Sequence, residues 1–278
     1  MKNKGKVAVV TGAGGTICSA MAIDLAKQGC KVVIVGRSMD KLEATQAKIK
    51  AEGGECLPLS AEVRNLEQMK EVREKVLATY GVCNILINGA GGNQPDAVTT
   101  ISEFDPAELE EGFEGRGFFN LGLDKFQDVI SVNIMGTVIP CRLFAQDMAK
   151  NGGGCIINFA SMNTYRPLSR IPAYALSKAG ISNFTQWLAA YLAPAKIRVN
   201  AIAPGFFIND RSAKLLLTPD GGFSPRGASI ISHTPMKRFG GAPELVGCMN
   251  WLIDDDAAGF VTGITVPVDG GFLSCSGL

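Results

Sequence analysis

Histidine is almost missing from this sequence: His233 is the only one in 278 residues. That count removes most histidine-based zinc sites and leaves a single partner for any serine–histidine pair. Net charge is nearly absent as well, with 27 Lys and Arg against 26 Asp and Glu, or +1. Such a chain offers no electrostatic footprint for nucleic acid or an anionic membrane. There is no C-x-x-C motif. The eight cysteines (Cys18, Cys30, Cys56, Cys83, Cys141, Cys155, Cys248, Cys275) are scattered, several inside apolar segments. They read as small buried hydrophobes in a reducing, cytoplasmic compartment. No apolar run approaches a membrane span, and the one after the basic residues Met1 to Lys6 stops at Thr11-Gly12, too short for a signal peptide.

What is present is a core and many tight turns: 46% apolar residues and 33 glycines. Short β-type runs at Lys6–Val10, Lys31–Val35, Glu55–Leu59, Asn84–Ile87, Cys155–Ala160, Ile197–Ile202 and Ile264–Val268 alternate with helical spacing. The helical stretches begin near Ala20, Met39, Asn65 (a cap, with Gln68 completing a box-like pattern), Asp124, Tyr174 and Pro243. This rhythm predicts an α/β chain: a single doubly wound parallel sheet with helices on both faces, a Rossmann fold, in one domain over 1–278. Two stretches break it. Residues 93 to about 123 are rich in Gly, Pro, Glu and Phe, and read as an insertion near the site with its acids outward. Residues 206 to about 235 read as a mobile lid.

In such a sheet, ligands bind at the carboxyl ends of the strands, where Gly12, Gly89, Ser161 and Pro204 all fall. The first strand runs into Thr11-Gly-Ala-Gly-Gly-Thr-Ile-Cys18 and then a helix. That is the opening of a nucleotide-binding unit, in which N–H groups at a helix N-terminus face a pyrophosphate. Taken alone the loop could be a plain tight turn. The second strand ends in Gly36-Arg37-Ser38, with no acid for a ribose 2′-OH. Arg37 could pair with a 2′-phosphate, stack on adenine, or be a surface arginine before a cap at Ser38. Glu62-Val63 after the third strand suits an adenine contact. Asn88-Gly-Ala-Gly-Gly-Asn93 follows the fourth strand, and glycines there permit close backbone approach to a ligand. Asn133 sits in mid-helix, a mildly unfavourable place that implies a kink or a task.

The densest chemistry lies between Ser161, at a strand end, and Tyr174-Ala-Leu-Ser-Lys178 on the next helix. A phenol and an ammonium one turn apart share a helix face. Bringing a tyrosine from about 10 down by roughly 3 units requires about 4 kcal/mol. A cation about 4 to 5 Å away supplies roughly 3 to 4 kcal/mol at an effective dielectric near 20. By itself the pair could equally be a surface aromatic beside a solvated lysine.

Taken together, Thr11-Gly12, Asn88-Gly-Ala-Gly91, Asn133, Ser161, Tyr174-x-x-x-Lys178 and Pro204-Gly205 resemble the classical short-chain dehydrogenase/reductase family over nearly the whole chain. Thr16 and Cys18 depart from it, as does Gly89-Ala90, where the family more often reads Asn-Ala-Gly. Within the family, Gly15–Met21, Asn88–Asn93, Ser161–Asn163, Ile171–Tyr174, Asn183–Trp187 and His233–Met236 resemble the D-mannonate oxidoreductase (fructuronate reductase) group. Cys18 and the long insertion are shared with that group, while Arg166 and the 206–232 segment fit it less well.

The resemblance implies hydride transfer between NAD or NADP and a small-molecule sugar acid, first of all D-fructuronate/D-mannonate, by a homotetramer. The apolar Gly271-Phe-Leu segment, which should not face water, fits that oligomer. It implies Tyr174 as the proton donor, Lys178 as holder of the nicotinamide ribose, Ser161 as hydrogen-bond donor to the reacting oxygen, and Asn133 as anchor of a relay water. Cofactor contacts fall to Gly12, Gly15, Thr16, Ile17, Arg37, Glu62, Val63, Asn88, Gly89, Ala90, Tyr174, Lys178, Pro204 and Gly205. For the substrate's carboxylate and hydroxyls the candidates are Asn93, Asn163, Arg170 and His233, with Arg166 as a second arginine. Alternatives are another carbonyl (a polyol, a ketogluconate or a 3-oxoacyl thioester) or, from a different class, a non-catalytic NAD(P)-binding regulator. The proton-donor role predicts that Tyr174→Phe retains nucleotide binding but loses more than about 90% of turnover, roughly 1.4 kcal/mol or more of barrier. Steady-state rates beside a nucleotide titration check this.

Overall fold

The structure, a computed structural model, describes residues 2–275, apart from the side chains of residues 210 and 211. Seven parallel strands lie in the order β3-β2-β1-β4-β5-β6-β7: β1 Val7–Thr11, β2 Lys31–Gly36, β3 Glu55–Ser60, β4 Cys83–Asn88, β5 Gly154–Phe159, β6 Ile197–Pro204 and β7 Thr265–Val268. The order in which the chain adds strands reverses between β1 and β4, the switch point where such sheets bind ligands. The flanking helices are α1 Thr16–Lys27, α2 Met39–Ala51, α3 Leu66–Thr79, α4 Leu123–Lys150 and α5 Pro172–Leu192. They continue with α6 Asp210–Leu216, α7 Pro225–His233 and α8 Pro243–Ile253.

The alternation of valines in β1 and β2 explains the two covered faces. Ala8, Val10, Val32 and Ile34 point into one apolar cluster with Met21, Leu25, Leu42, Leu245 and Met249. Their neighbours Val7, Val9, Val33 and Val35 point into the other, with Met69, Val72, Phe144, Met148 and Leu188. A strand buried on both faces must be apolar throughout, so these runs read as continuous rather than alternating. Helix α4 is long and apolar enough to cross a membrane by length and composition, but it is a core helix. Val129, Ile139, Phe144 and Met148 bury its inner face. Pro140, inside the same helix, has no N–H for the carbonyl of residue 136, and Gly136 packs where an added Cβ would lie 2.7 Å from Val63 Cγ2.

Several local expectations are refined. Asn65 caps α3 by accepting from the N–H groups of Glu67 and Gln68, but Gln68 Oε1 accepts from the N–H of Glu62 instead of closing a capping box. In the insertion most acids do face outward, but Glu108 is buried, on a 3₁₀ turn at Pro106–Leu109. Arg116 organises that segment by donating to Asp96 and to the Pro95 carbonyl. The segment expected to form a lid holds two helices, α6 and α7, and its stem is closed by backbone bonds: Gly240 N–H to Phe206 O and Ile208 N–H to Gly240 O. Phe272 packs edge-on against Phe206 with ring centroids 5.3 Å apart, so part of the C-terminal apolar segment rests on that stem.

Candidate active site

At the end of β1 the chain turns sharply. Gly12 adopts φ +72°, and a Cβ there would sit 2.8 Å from Gly89 C and Ala90 N. Only glycine lets the first and fourth strands' loops approach this closely. Helix α1 then begins behind Gly15, which offers no side-chain cap. The first N–H groups of the helix are thereby left for an anion. A cleft of about 440 Å³ forms over them, lined by Gly12, Gly15, Thr16, Ile17, Arg37, Gly89 and Ala90, with Lys41 and Asn209 also present.

Thr11 carries a role that the sequence motif did not reveal. Its Oγ1 accepts from the N–H groups of Gly89 (3.1 Å) and Ala90 (3.2 Å), so those amides brace the loop. Asn88 is buried below them, donating to Asn158 Oδ1 and Cys141 Sγ, and Asn158 donates in turn to Thr185. Asn88 therefore supports the cleft from beneath and is not among its lining residues. Glu62 and Val63 also lie outside the lining: Glu62 Oε2 stands 3.7 Å from Arg37 Nη1, and Val63 is buried against Gly136.

Two of the departures from the family pattern, Cys18 and Gly89, prove to be one feature. A Cβ on Gly89 would fall 2.1 Å from Cys18 Sγ. The larger residue on α1 is accommodated because its neighbour on the β4 loop has no side chain. Burial pushes the Cys18 thiol up to about 12, so it is a packing group and not a nucleophile.

A second cleft of about 280 Å³ continues from the first through the shared residues Ile17, Cys18, Gly89, Gly91 and Asn209. It holds Ser161, Tyr174, Lys178, Pro204 and Gly205, brought together from β5, α5 and β6, with Phe207 from the lid stem. Lys178 is buried at 5% exposure, donates to the Phe159 carbonyl at 2.7 Å, and lies 5.5 Å from the Tyr174 ring centroid. The expected same-face pairing of phenol and ammonium is thus present.

Its electrostatics differ from the expectation. Burial pushes the Tyr174 phenol above its usual 10, and hydrogen bonding to Ser161 opposes this only in part. Burial brings Lys178 down to about 8, with Cys18 acting weakly the other way. Desolvation, which penalises each charged form, outweighs the attraction that the spacing argument counted. The protein's own groups therefore do not deliver the lowered phenol.

The Asn133 side chain is wholly buried and makes bonds to backbone. It accepts from Gly92 N–H (3.1 Å) and donates to the carbonyls of Gly92 and Val129 (2.8 Å each). It fixes the Gly91-Gly92 strip that borders the cleft. Of the substrate candidates, none lines either cleft. Asn93 Oδ1 accepts from the Gln94 N–H, and Arg170 donates to Ser102 Oγ at 2.9 Å. Arg166 donates to the Cys275 carbonyl. His233 is exposed at the end of α7, its Nδ1 2.7 Å from Ser229 O. Asn163 is buried beside Ser161. Residues missed from sequence are Thr11, Asn158, Phe207 and Asn209. The last two sit on a lid stem without periodicity, and the only available signal was their distance after Pro204-Gly205.

Residues 6–217 match the family model for short chain dehydrogenase. The chain belongs to that family. A crystal structure of a candidate D-mannonate oxidoreductase from Haemophilus influenza, with bound NAD, superposes with TM-score 0.93 at 40% identity, covering 99% of this chain and 97% of that one. An uncharacterized oxidoreductase, UxuB of Bacillus subtilis (strain 168), is 44% identical over 99% of this chain and 97% of its own length. The 2-dehydro-3-deoxy-D-gluconate 5-dehydrogenase of Escherichia coli (strain K12) is 31% identical over 98% and 96%. This short-chain dehydrogenase is an oxidoreductase acting on CH–OH groups with NAD(P).

Two outcomes follow from its site. Unfolded, Lys178 titrates near 10.5; folded, near 8. Between those values the unfolded chain binds more protons, so stability rises with pH across that window, and below it the buried charge is a constant burden. Lys178→Met should stabilise the fold at pH 7 by about 2 kcal/mol, after loss of the Phe159 bond, and abolish turnover. Denaturant titrations at stepped pH should show the gain fading as pH climbs toward 10.5. Gly89→Ala should weaken NADH binding about tenfold and destabilise by roughly 1–3 kcal/mol, and Cys18→Ala added to it should restore both. Unaltered NADH affinity in the single variant would disprove the coupling.

Proposed function

We propose that this short-chain dehydrogenase interconverts a ketosugar acid and its alcohol, D-fructuronate and D-mannonate before others, using NAD or NADP. What carries the reading is the continuity of the two clefts: a glycine-lined anion cradle leads directly to Ser161, Tyr174 and Lys178. The kind of substrate is supported by similarity to a candidate D-mannonate oxidoreductase and to a dehydrogenase of another sugar acid.

The nicotinamide supplies the hydride, and its oxidised form supplies a positive charge that favours phenolate. Tyr174 gives its proton to the carbonyl oxygen, and Ser161 donates a hydrogen bond to the same atom. Lys178, fixed by Phe159 O, has two further N–H groups for the ribose hydroxyls. Asn133, whose side-chain bonds all go to backbone, serves by holding the Gly91-Gly92 strip and not by anchoring a relay water through its amide. Pro204 and Gly205 bound the nicotinamide end. Glu62, Val63 and Asn88 act around the adenosine and loop. Arg37 and Lys41 line the adenosine end and leave both coenzymes open.

Among the described residues Lys178 is the one cation lining the catalytic cleft. A substrate carboxylate therefore draws on Arg170, which would exchange Ser102 for it, with Asn93 and His233 offering polar groups from the adjoining loop and lid. The setting is cytoplasmic, in keeping with free cysteines. The assembly is a homotetramer: Trp187 and Tyr191 stack at 5.1 Å on an exposed face of α5, an apolar surface suited to burial between copies.

Steady-state assays of NADH and NADPH oxidation with fructuronate, ketogluconates and simple ketones test the reading. Fructuronate should exceed a simple ketone in kcat/KM by at least about a hundredfold, or 2.7 kcal/mol. No turnover with any of them would favour a nucleotide-binding regulator. Sedimentation should give four chain masses.

A further inference from the structure

Ser161 Oγ accepts two hydrogen bonds, and both come from Asn163. The backbone N–H of Asn163 lies 3.2 Å away and its side-chain Nδ2 also 3.2 Å. A hydroxyl has two lone pairs and one proton. With both acceptor positions filled by one neighbour, the proton of Ser161 must be donated elsewhere, on the side that faces Tyr174 and the cleft.

The orientation of the Asn163 amide is itself determined. Its Oδ1 accepts from the Leu168 backbone N–H at 3.0 Å. A backbone N–H has no alternative role, so that oxygen cannot swap places with Nδ2 without facing donor to donor. Asn163 is buried at 4% exposure, and Ser161 likewise, so water does not compete for either bond. The turn is closed further by Thr164 N–H on the Ser161 carbonyl, and Thr164 Oγ1 donates to the Lys178 carbonyl, tying it to α5.

We propose that Asn163 is a positioning residue that fixes the polarity of the Ser161 hydroxyl, making it an obligate donor to the reacting oxygen. This rests on the role of Ser161 given above, and it replaces Asn163's expected place among substrate contacts. In the reduction direction both Ser161 and Tyr174 then donate to the carbonyl oxygen. In the oxidation direction Ser161 donates to the alcohol oxygen while phenolate takes its proton. A serine free to rotate would instead offer a lone pair to the phenol for part of the time and would compete with the substrate for the tyrosine proton.

The test is a cycle of Asn163→Ala, Ser161→Ala and the double variant, read in two ways. Steady-state kinetics with fructuronate should show Asn163→Ala lowering kcat about tenfold with KM and NADH affinity within about twofold. The double variant should match Ser161→Ala, because the amide acts only through the hydroxyl. Ultraviolet difference titration with cofactor present, using Tyr174→Phe to subtract the other three tyrosines, needs no substrate. Asn163→Ala should raise the ionisation midpoint of Tyr174, and should leave it unmoved in the Ser161→Ala background. Should Asn163→Ala fail to bind NADH, Asn163→Asp keeps the acceptor for Leu168. It also offers Ser161 a second acceptor, and must lower kcat at least as far. Independent, multiplying effects of the two alanine variants would overturn the proposal, as would a KM effect with kcat intact. Absence of turnover with fructuronate would count against the substrate reading alone, and the titration cycle would still decide this one.

Discussion

A lysine ammonium kept from water is the constraint around which this molecule is arranged. Lys178 is held at the Phe159 carbonyl, at the carboxyl end of β5, by a helix whose buried face mixes aliphatic residues with Ser177, Ser182 and Thr185. Keeping a charge there is unfavourable for the isolated chain, as its pKa near 8 records. The surrounding glycine loops give the ammonium room. Added Cβ atoms on Gly91 would press on Asn133 Oδ1 at 2.4 Å and approach the ammonium at 3.7 Å.

Beneath that charge lies a polar layer that an apolar core would not need. Asn88, Asn158 and Thr185 join β4, β5 and α5, and Thr11 joins β1 to the loop after β4. Each of these elements delivers part of the site at the sheet's switch point. Cross-bonding them with directional groups sets their relative height and rotation more narrowly than interchangeable aliphatic contacts would. The site is therefore positioned from below by hydrogen bonds and from the sides by close glycine packing.

Much of this was visible in the chain of letters, for identifiable reasons. Strands covered on both faces are apolar along their whole length, so β1, β2 and β4 were legible, with Gly12, Gly89, Ser161 and Pro204 at strand ends and Tyr174 and Lys178 on the helix after β5. Most boundaries differ by one or two residues, as where α5 starts at Pro172 and β6 runs on to Pro204, but α1 starts at Thr16, four residues before Ala20. Three matters were not legible. Desolvation has no sequence signature, so a lysine a turn away was expected to lower the phenol when burial in fact raises it. Arginine and histidine side chains are long or sit on segments without period, so sequence position did not say that Arg170 reaches Ser102 or that His233 stays on the outside of α7. Cys18 and Gly89 are far apart in sequence, and only contact shows that their unusual identities answer each other.

The way the lid leaves and rejoins the sheet has a further implication. Phe206 to Ile208 and Gly240 are joined by main-chain bonds alone, a clasp that does not depend on what lies between. The thirty or so residues enclosed by that clasp form a loop with adjacent ends. With its ends pinned to each other, such a segment can change in length or sequence at its far side without moving the strand and helix that carry Ser161, Tyr174 and Lys178.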